Sequence, residues 1–229
     1  MNNSEEILRE QKWKKLLSYR RFFAYIPFLD FVLVAGSLVF GKVHENSDFD
    51  VIIGTKPGRI FTVRFFCFLV FGFLGIRRNH QASKESGRDK VCFNHFVTPA
   101  SYALQPPYNI YWQKLYQNLK AIYGNADEVK LFFEKNKGWS EREEFFFNKD
   151  LWQREKFNLF RQCLEIILNG AIGDFFESFV KKLQVRKIEK SLKKDIGFNP
   201  RLRYDDEELE FHPDTSRIED FLKTSLKIK

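Results

Sequence analysis

Cysteine is scarce in this chain: three residues in 229, Cys67, Cys92 and Cys163, far apart in apolar surroundings. That excludes a disulfide framework, and without a Cys-x-x-Cys pair it excludes the usual zinc ribbons and fingers. The expectation is three buried free thiols in a reducing cytoplasm. No apolar run is long enough to span a bilayer, which takes roughly 20 residues. Phe22 to Phe40 approaches that length but is interrupted by Pro27, Asp30, Gly36 and Ser37, while Phe65 to Ile76 stops at 12 residues between arginines. The second run reads as a buried helix rather than one lying on a membrane, so membrane contact is not expected. The N-terminus, MNNSEEILREQKWKK, is charged and helical and lacks the apolar core of a secretion signal. Internal repeats and low-complexity tracts are absent. So are a GxxxxGK[ST] phosphate loop, a GxGxxG turn, a nucleophile elbow around Ser18, Ser37 or Ser101, and His spacings suited to zinc.

What is present is apolar and basic. Hydrophobic residues make up 44% and charged residues 30%, with net charge +8 and 27 phenylalanines. A chain this apolar can bury a core as one large domain or two small ones. Residues 51–100 hold eight Lys and Arg against two acids, and residues 181–203 hold nine against two, just before the acidic run Asp205-Asp206-Glu207-Glu208. Such blocks read as solvated helix faces; the alternative is a surface for a polyanion such as RNA.

The punctuation of the chain predicts an α/β first half and a mainly helical second half. Ser4 opens a helix over 4–22. The run Phe31–Ala35 reads as a buried strand stopped by Gly36, and Phe49–Ile53 as a second strand closed by Gly54. Pro57-Gly58 precedes a helix over 59–75, residues 79–90 form a polar loop, and Val91–Val97 is a third strand. Helices follow over 108–122, 127–136, 150–168 and 171–193, with a short one at 216–226. Tyr111, Trp112 and Tyr116 fall at helical spacing with Tyr108 and read as a packed face. The corresponding division is 1–105, a helical region over 106–198, and a charged tail over 199–229.

One stretch carries chemistry: VLVAGSLVFGKVHENSDFDVII, residues 32–53. A buried strand ends in Gly36-Ser37, and ten residues later Asp48-Phe49-Asp50 opens the next strand. Residues two apart on a strand point to one face, so Asp48 and Asp50 stand side by side and repel unless a cation lies between them. An all-oxygen pair of this kind suits Mg²⁺ or Mn²⁺ holding substrate phosphates. Gly36 lets the backbone approach a triphosphate closely, Ser37 can donate to a phosphate oxygen, and Lys42 is a triphosphate partner in the intervening loop. His44, in the same loop, reads as a surface residue.

This pattern resembles the signature of the DNA polymerase beta-like nucleotidyltransferase superfamily: an apolar residue, Gly-Ser, a spacer, then Asp-x-Asp inside an apolar strand, with Ser47 before Asp48 as in its small members. Weaker similarities to a loosely described group of bacterial nucleotidyltransferase-domain proteins run through Thr55–Arg59, Leu74–Arg78, Asp89–Asn94, Ile122–Gly124 and Phe211–Pro213. The resemblance implies an α+β nucleotidyltransferase fold with a small mixed sheet flanked by helices. It also implies Mg²⁺- or Mn²⁺-dependent transfer of an NMP from an NTP, ATP first among them, to a hydroxyl on RNA, protein or a small molecule.

The resemblance further implies a third carboxylate on the next strand. The sequence offers Asn94 there, which adds no charge and cannot take a proton. Nearby Asp89 or Glu85 would have to substitute, the reaction would have to run with a weaker second ion or a substrate-supplied base, or the protein binds nucleotide or RNA without turnover. His95, next in the strand, is expected to face the other way.

Overall fold

The computed structural model describes residues 3–79, 87–105, 109–142, 145–192 and 201–212. Its chain alternates helices and strands. Helix α1 (Asn3–Tyr19) and a 3-10 turn (Arg20–Tyr25) lead to β1 (Leu29–Val34), the short α2 (Gly36–Val39), β2 (Phe49–Thr55), α3 (Ile60–Phe73) and β3 (Val91–Val97). Then come α4 (Ile110–Asn118), β4 (Lys120–Gly124), α5 (Ala126–Ser140), β5 (Gln153–Arg154), α6 (Leu159–Ile167), α7 (Gly170–Leu192), β6 (Arg201–Tyr204) and β7 (Glu208–His212). The seven strands form one mixed sheet in the order β5-β4-β1-β2-β3-β7-β6. β1 runs antiparallel to both β2 and β4, while β2 and β3 are parallel, joined by the α3 crossover that parallel pairing requires.

The alternation of β2 decides the layers. Phe49, Val51 and Ile53 join Leu16, Phe23, Phe61, Phe71 and Phe93 in a core under α1 and α3. Ile52 points the other way, into a second core with Phe31, Leu33, Trp112, Tyr116 and Phe132 under α4 and α5. Trp112 and Tyr116 are buried, as the helical spacing of the aromatics predicts, and Tyr111 packs at that core's edge; Tyr108 lies outside the described residues. β1, buried along its whole length, is shared by both cores. The mixed α/β class expected from the sequence is therefore present.

Helix α3 follows the turn at Gly58, whose φ of +69° suits glycine, and stops at Gly75, φ +70°. Its own N-cap, Arg59, has no side-chain acceptor to offer. The vacancy is filled from α7: the Glu177 carboxylate accepts from the Phe61 amide at 2.8 Å and the Thr62 amide at 2.7 Å. A buried carboxylate is thereby matched to orphan helix amides. Desolvation raises the Glu177 pKa, and the hydrogen bonds at Thr62 and Phe61 oppose that rise.

The second half departs from the sequence expectation. The segment 108–122 is not one helix: α4 ends at Asn118, and residues 120–124 pair with β1 as β4. The apolar trio Ala121-Ile122-Tyr123 is too short for its period to separate helix from strand. The open edge of β1 decides it. Gly124 then passes so close to β1 that a Cβ there would lie 2.1 Å from the Asp30 carbonyl oxygen. In 150–168 only Leu159–Ile167 is helical, since Gln153–Arg154 pairs with β4. The charged tail supplies the β6–β7 hairpin, whose β7 pairs antiparallel with β3. The helix expected at 216–226 lies outside the described residues. Cys67 and Cys92 are buried, but Cys163 is exposed on α6, against the expectation for all three.

Candidate active site at the head of β2

The site is assembled where β1 hands over to α2. The Ala35 amide donates to the Asp50 carbonyl oxygen at 2.9 Å, which locks the Gly36 turn against β2. Gly36 has φ +68°, and a Cβ placed on it would lie 2.2 Å from Asp50 Oδ2. Only a residue without a side chain leaves room for the carboxylate at this turn. Ser37 follows, half-buried, and its carbonyl accepts from the Lys42 amide at 3.0 Å. The Lys42 residue itself is exposed.

The loop between Lys42 and Asp48 is held by α1. The Lys12 ammonium, 3% exposed, donates to the carbonyls of Glu45 at 2.6 Å and Ser47 at 2.9 Å. Ser47 Oγ in turn accepts from the exposed His44's amide. Lys12 and Lys15 also pair with Asp89 at 2.8 and 2.9 Å. Desolvation opposes charge on Asp89, but the two lysines outweigh it and hold its carboxyl below the ordinary range. Asp89 thus braces α1 against the loop and is not the missing third ligand. Glu85 lies outside the described residues.

Asp48 and Asp50 stand side by side, as their spacing predicts, with Asp48 buried and Asp50 half-buried. Across the parallel ladder Asp50 pairs with Cys92 and Val51 with Phe93; then the register slips and Ile52 pairs with His95. Asn94 is the extra residue of this bulge. Its amide nitrogen stands 3.5 Å from Asp50 Oδ1, at the outer limit of a hydrogen bond. So Asn94 does reach the site, but the strand partner of Asp50 is Cys92. One ligand atom each from Asp48, Asp50 and Cys92 lies within 4.8 Å of the others, and among the described residues no third carboxylate joins them. Burial first, then the Asp50 and Asp48 charges, push the Cys92 thiol well up, so it keeps its proton.

The bulge also corrects the expectation for His95. Instead of facing away from Asn94, it pairs with Ile52 on one side and Glu210 on the other, on the Asp50 face of the sheet. There its Nε2 is 3.1 Å from Glu208 Oε1, and Glu208 also meets Arg203 at 3.1 Å. His95, Glu208 and Glu210 are all buried, with ligand atoms within 4.8 Å of one another.

Sequence reasoning missed Arg78. There Arg77 and Arg78 only close the apolar run that ends at Ile76. The structure ends α3 at Phe73 and lays residues 76–78 beside β3: the Val91 amide donates to the Ile76 carbonyl and the Arg78 amide to the Val91 carbonyl. Arg77 then lies over the Phe68 ring at 4.4 Å, while the Arg78 guanidinium pairs with the Asp48 carboxylate. Burial works against the Arg78 charge, and Asp48 more than restores it. The available signal was a charged pair just past a helix-stopping glycine.

A second group of cations flanks the Gly36 turn. Lys120 pairs in register with Val34, the last residue of β1, and the Arg9 side chain lies beside Gly41. Desolvation, then Arg142 and Arg9, lower the Lys120 pKa, the mark of positive charges crowded together.

The donor set fits a divalent cation of the oxygen-seeking class: two carboxylates, an amide able to turn its oxygen inward, and a glycine cradle that a Cβ would fill. Asp48 and Asp50 would hold it. A scan against family models, a search of curated proteins and a search of solved structures each return no match to this chain.

Proposed function

We propose that this protein is a metal-dependent nucleotidyltransferase that moves an NMP from an NTP, ATP first among them, to a hydroxyl acceptor. The observation that carries the reading is the close approach of Gly36 to Asp50. The Gly-Ser turn and Asp50, separate in sequence, come so close that a Cβ on Gly36 would lie 2.2 Å from Asp50 Oδ2, which leaves space only for a glycine backbone. A triphosphate laid along Gly36-Ser37 would have its α-phosphorus near the aspartates. The cations at Arg9, Lys120 and Arg142 supply positive potential for its tail.

In the proposed reaction the acceptor oxygen bonds to the α-phosphorus, the α–β phosphoanhydride bond breaks, and pyrophosphate leaves. When bound, Mg²⁺ or Mn²⁺ would supply charge neutralisation for the phosphates. Asp48 and Asp50 would hold the ion, and Arg78 steadies Asp48. Neither the protonated Cys92 thiol nor Asn94 can receive the acceptor proton, so the reading gives it to the substrate's own phosphate oxygens or to water.

The test is incubation with each α-labelled NTP and Mg²⁺ or Mn²⁺, with and without cellular RNA, beside Asp50→Asn. Label on RNA or protein with wild type only is the expected outcome. Equal labelling by the variant would sink the assignment. A second reading, a nucleotide- or RNA-binding protein without turnover, is favoured by the absence of a third carboxylate beside Asp50 among the described residues. It expects NTP and Mn²⁺ to raise the melting temperature with no label transferred.

A further inference from the structure

Helix α6 is built inside out, and α7 shares that feature in part. In α6 the one residue buried is Arg161, 4% exposed, whose guanidinium donates to Glu165 at 2.8 Å and to the Leu29 carbonyl at 2.9 Å. Glu165 in turn accepts from the Phe28 amide at 2.7 Å. The charged face of α6 is therefore its docking face, and Leu159, Phe160, Ile166 and Ile167, 57–75% exposed, look outward. Helix α7 does the same in part. Glu177 and Gln184 face α3 through hydrogen bonds to its first turn, together with the buried Val180. Ile172, Phe175, Phe179 and Leu183, spaced as one helical stripe, are 50–75% exposed. Single exposed apolar residues are ordinary. A helix that turns charge inward and apolar side chains outward, followed by one that packs Phe176, Val180 and Val185 on the core yet exposes a second apolar stripe, is not, and the pair marks a surface meant to be covered.

What lies along the stripe identifies the cover. Continued by the same helical spacing, the Ile172–Leu183 stripe runs into Arg186 and Lys190, with Lys182 and Lys187 on either side. All four cations are exposed and make no ion pair among the described residues. A second copy of this chain would have to answer them with acid, yet the chain's own acidic run is already engaged. Asp206 pairs with Lys181, Glu207 accepts from Thr98 Oγ1, Glu208 meets Arg203 and His95, and Asp205 caps the β6–β7 turn. Apolar side chains on an exposed helix face followed by cations without an ion pair among the described residues match the chemistry of a bilayer surface carrying anionic headgroups. We propose that α6 and α7 dock this protein on an anionic lipid surface, with Phe175 and Phe179 entering the acyl boundary and Lys182, Arg186, Lys187 and Lys190 meeting the headgroups. Among the described residues no helix is long and apolar enough to cross a membrane, so the association is peripheral. The proposal is independent of the nucleotidyltransferase reading, because the stripe lies on the far side of the sheet from Asp50.

The experiment is co-sedimentation of the full chain with vesicles of phosphatidylcholine alone and of phosphatidylcholine with phosphatidylglycerol in equal parts, with light scattering of the free protein at the same concentration. The expected result is pelleting with the mixed vesicles, weakened by salt. The double variant Phe175→Ser/Phe179→Ser should bind about tenfold more weakly or worse. Because both residues are exposed, the variant should keep the wild-type melting temperature. In a Phe179→Trp variant, fluorescence should be quenched by brominated acyl chains. Three outcomes overturn the proposal: no pelleting with mixed vesicles, pelleting unchanged by the double variant, or a stable dimer in solution that Phe175→Ser/Phe179→Ser dissociates.

Discussion

The two faces of β2 and β3 share a backbone and little else. On one face Phe49, Val51, Ile53, Val91, Phe93 and Phe96 are sealed under α1 and α3. On the other, beside Ile52 and Val97 of the second core, the same strands and β7 carry Asp48, Asp50, Cys92, Asn94, His95, Glu208 and Glu210. The first face does what the hydrophobic effect favours. The second buries carboxylates, which costs free energy unless charge or hydrogen bonds answer them. A sheet that gathers acids on one side of its central strands, while packing phenylalanine behind them, keeps its buried charges apart from its aromatic packing.

The comparison can be broken from the apolar side first. Phe93 is 4% exposed and packs edge-on to Phe71 at 4.9 Å. Phe93→Ala should lower stability by about 3–5 kcal/mol, measured by chemical denaturation. A loss below about 1 kcal/mol would mean the aromatic layer is not what holds β3 down.

Asp30 extends the contrast to β1, where another acid is buried. Desolvation, then Glu128, raise its pKa from 3.8 to about 7, against the pull of Lys56 and Arg161. The fold therefore prefers the protonated form. Its contribution to stability is fully present below pH 3.8 and is lost as pH rises to about 7. Asp30→Asn should leave stability near wild type at pH 4 and exceed it above pH 7 by on the order of 2–4 kcal/mol. A flat difference between the two proteins across that pH range would contradict the assigned shift.

The smallest effect sharpens the comparison most. Asp50→Asn removes one of two neighbouring carboxylates and keeps the volume. It should change metal-free stability by less than about 1 kcal/mol while abolishing the rise in melting temperature given by Mn²⁺. A Mn²⁺ effect that survives the substitution would move the ion away from these aspartates.

Much of the acidic face was legible in the sequence. The side-by-side placement of Asp48 and Asp50 follows from strand alternation, and Gly36 from its place between an apolar strand and a polar loop. Val91–Val97 is the third strand as read. Asn94 was reached, but the register that seats Cys92 opposite Asp50, and the bulge that turns His95 onto the same face, belong to pairing between strands and leave no local mark. Arg78 escaped for the same reason. The inside-out polarity of α6 was invisible as well, since an amphipathic pattern shows two unlike faces and not which one is turned inward.

The sequence by itself determined the α/β character of the first half, the Gly-Ser turn and the paired acids, because these follow from residue periods and from the freedom of glycine. Tertiary structure alone decided that residues 120–124 become a strand, that the acidic tail closes the sheet beside β3, and that Arg78 reaches Asp48. Each of these depends on a partner distant in the chain: an open strand edge that offers backbone hydrogen bonds, or a buried charge that requires its opposite.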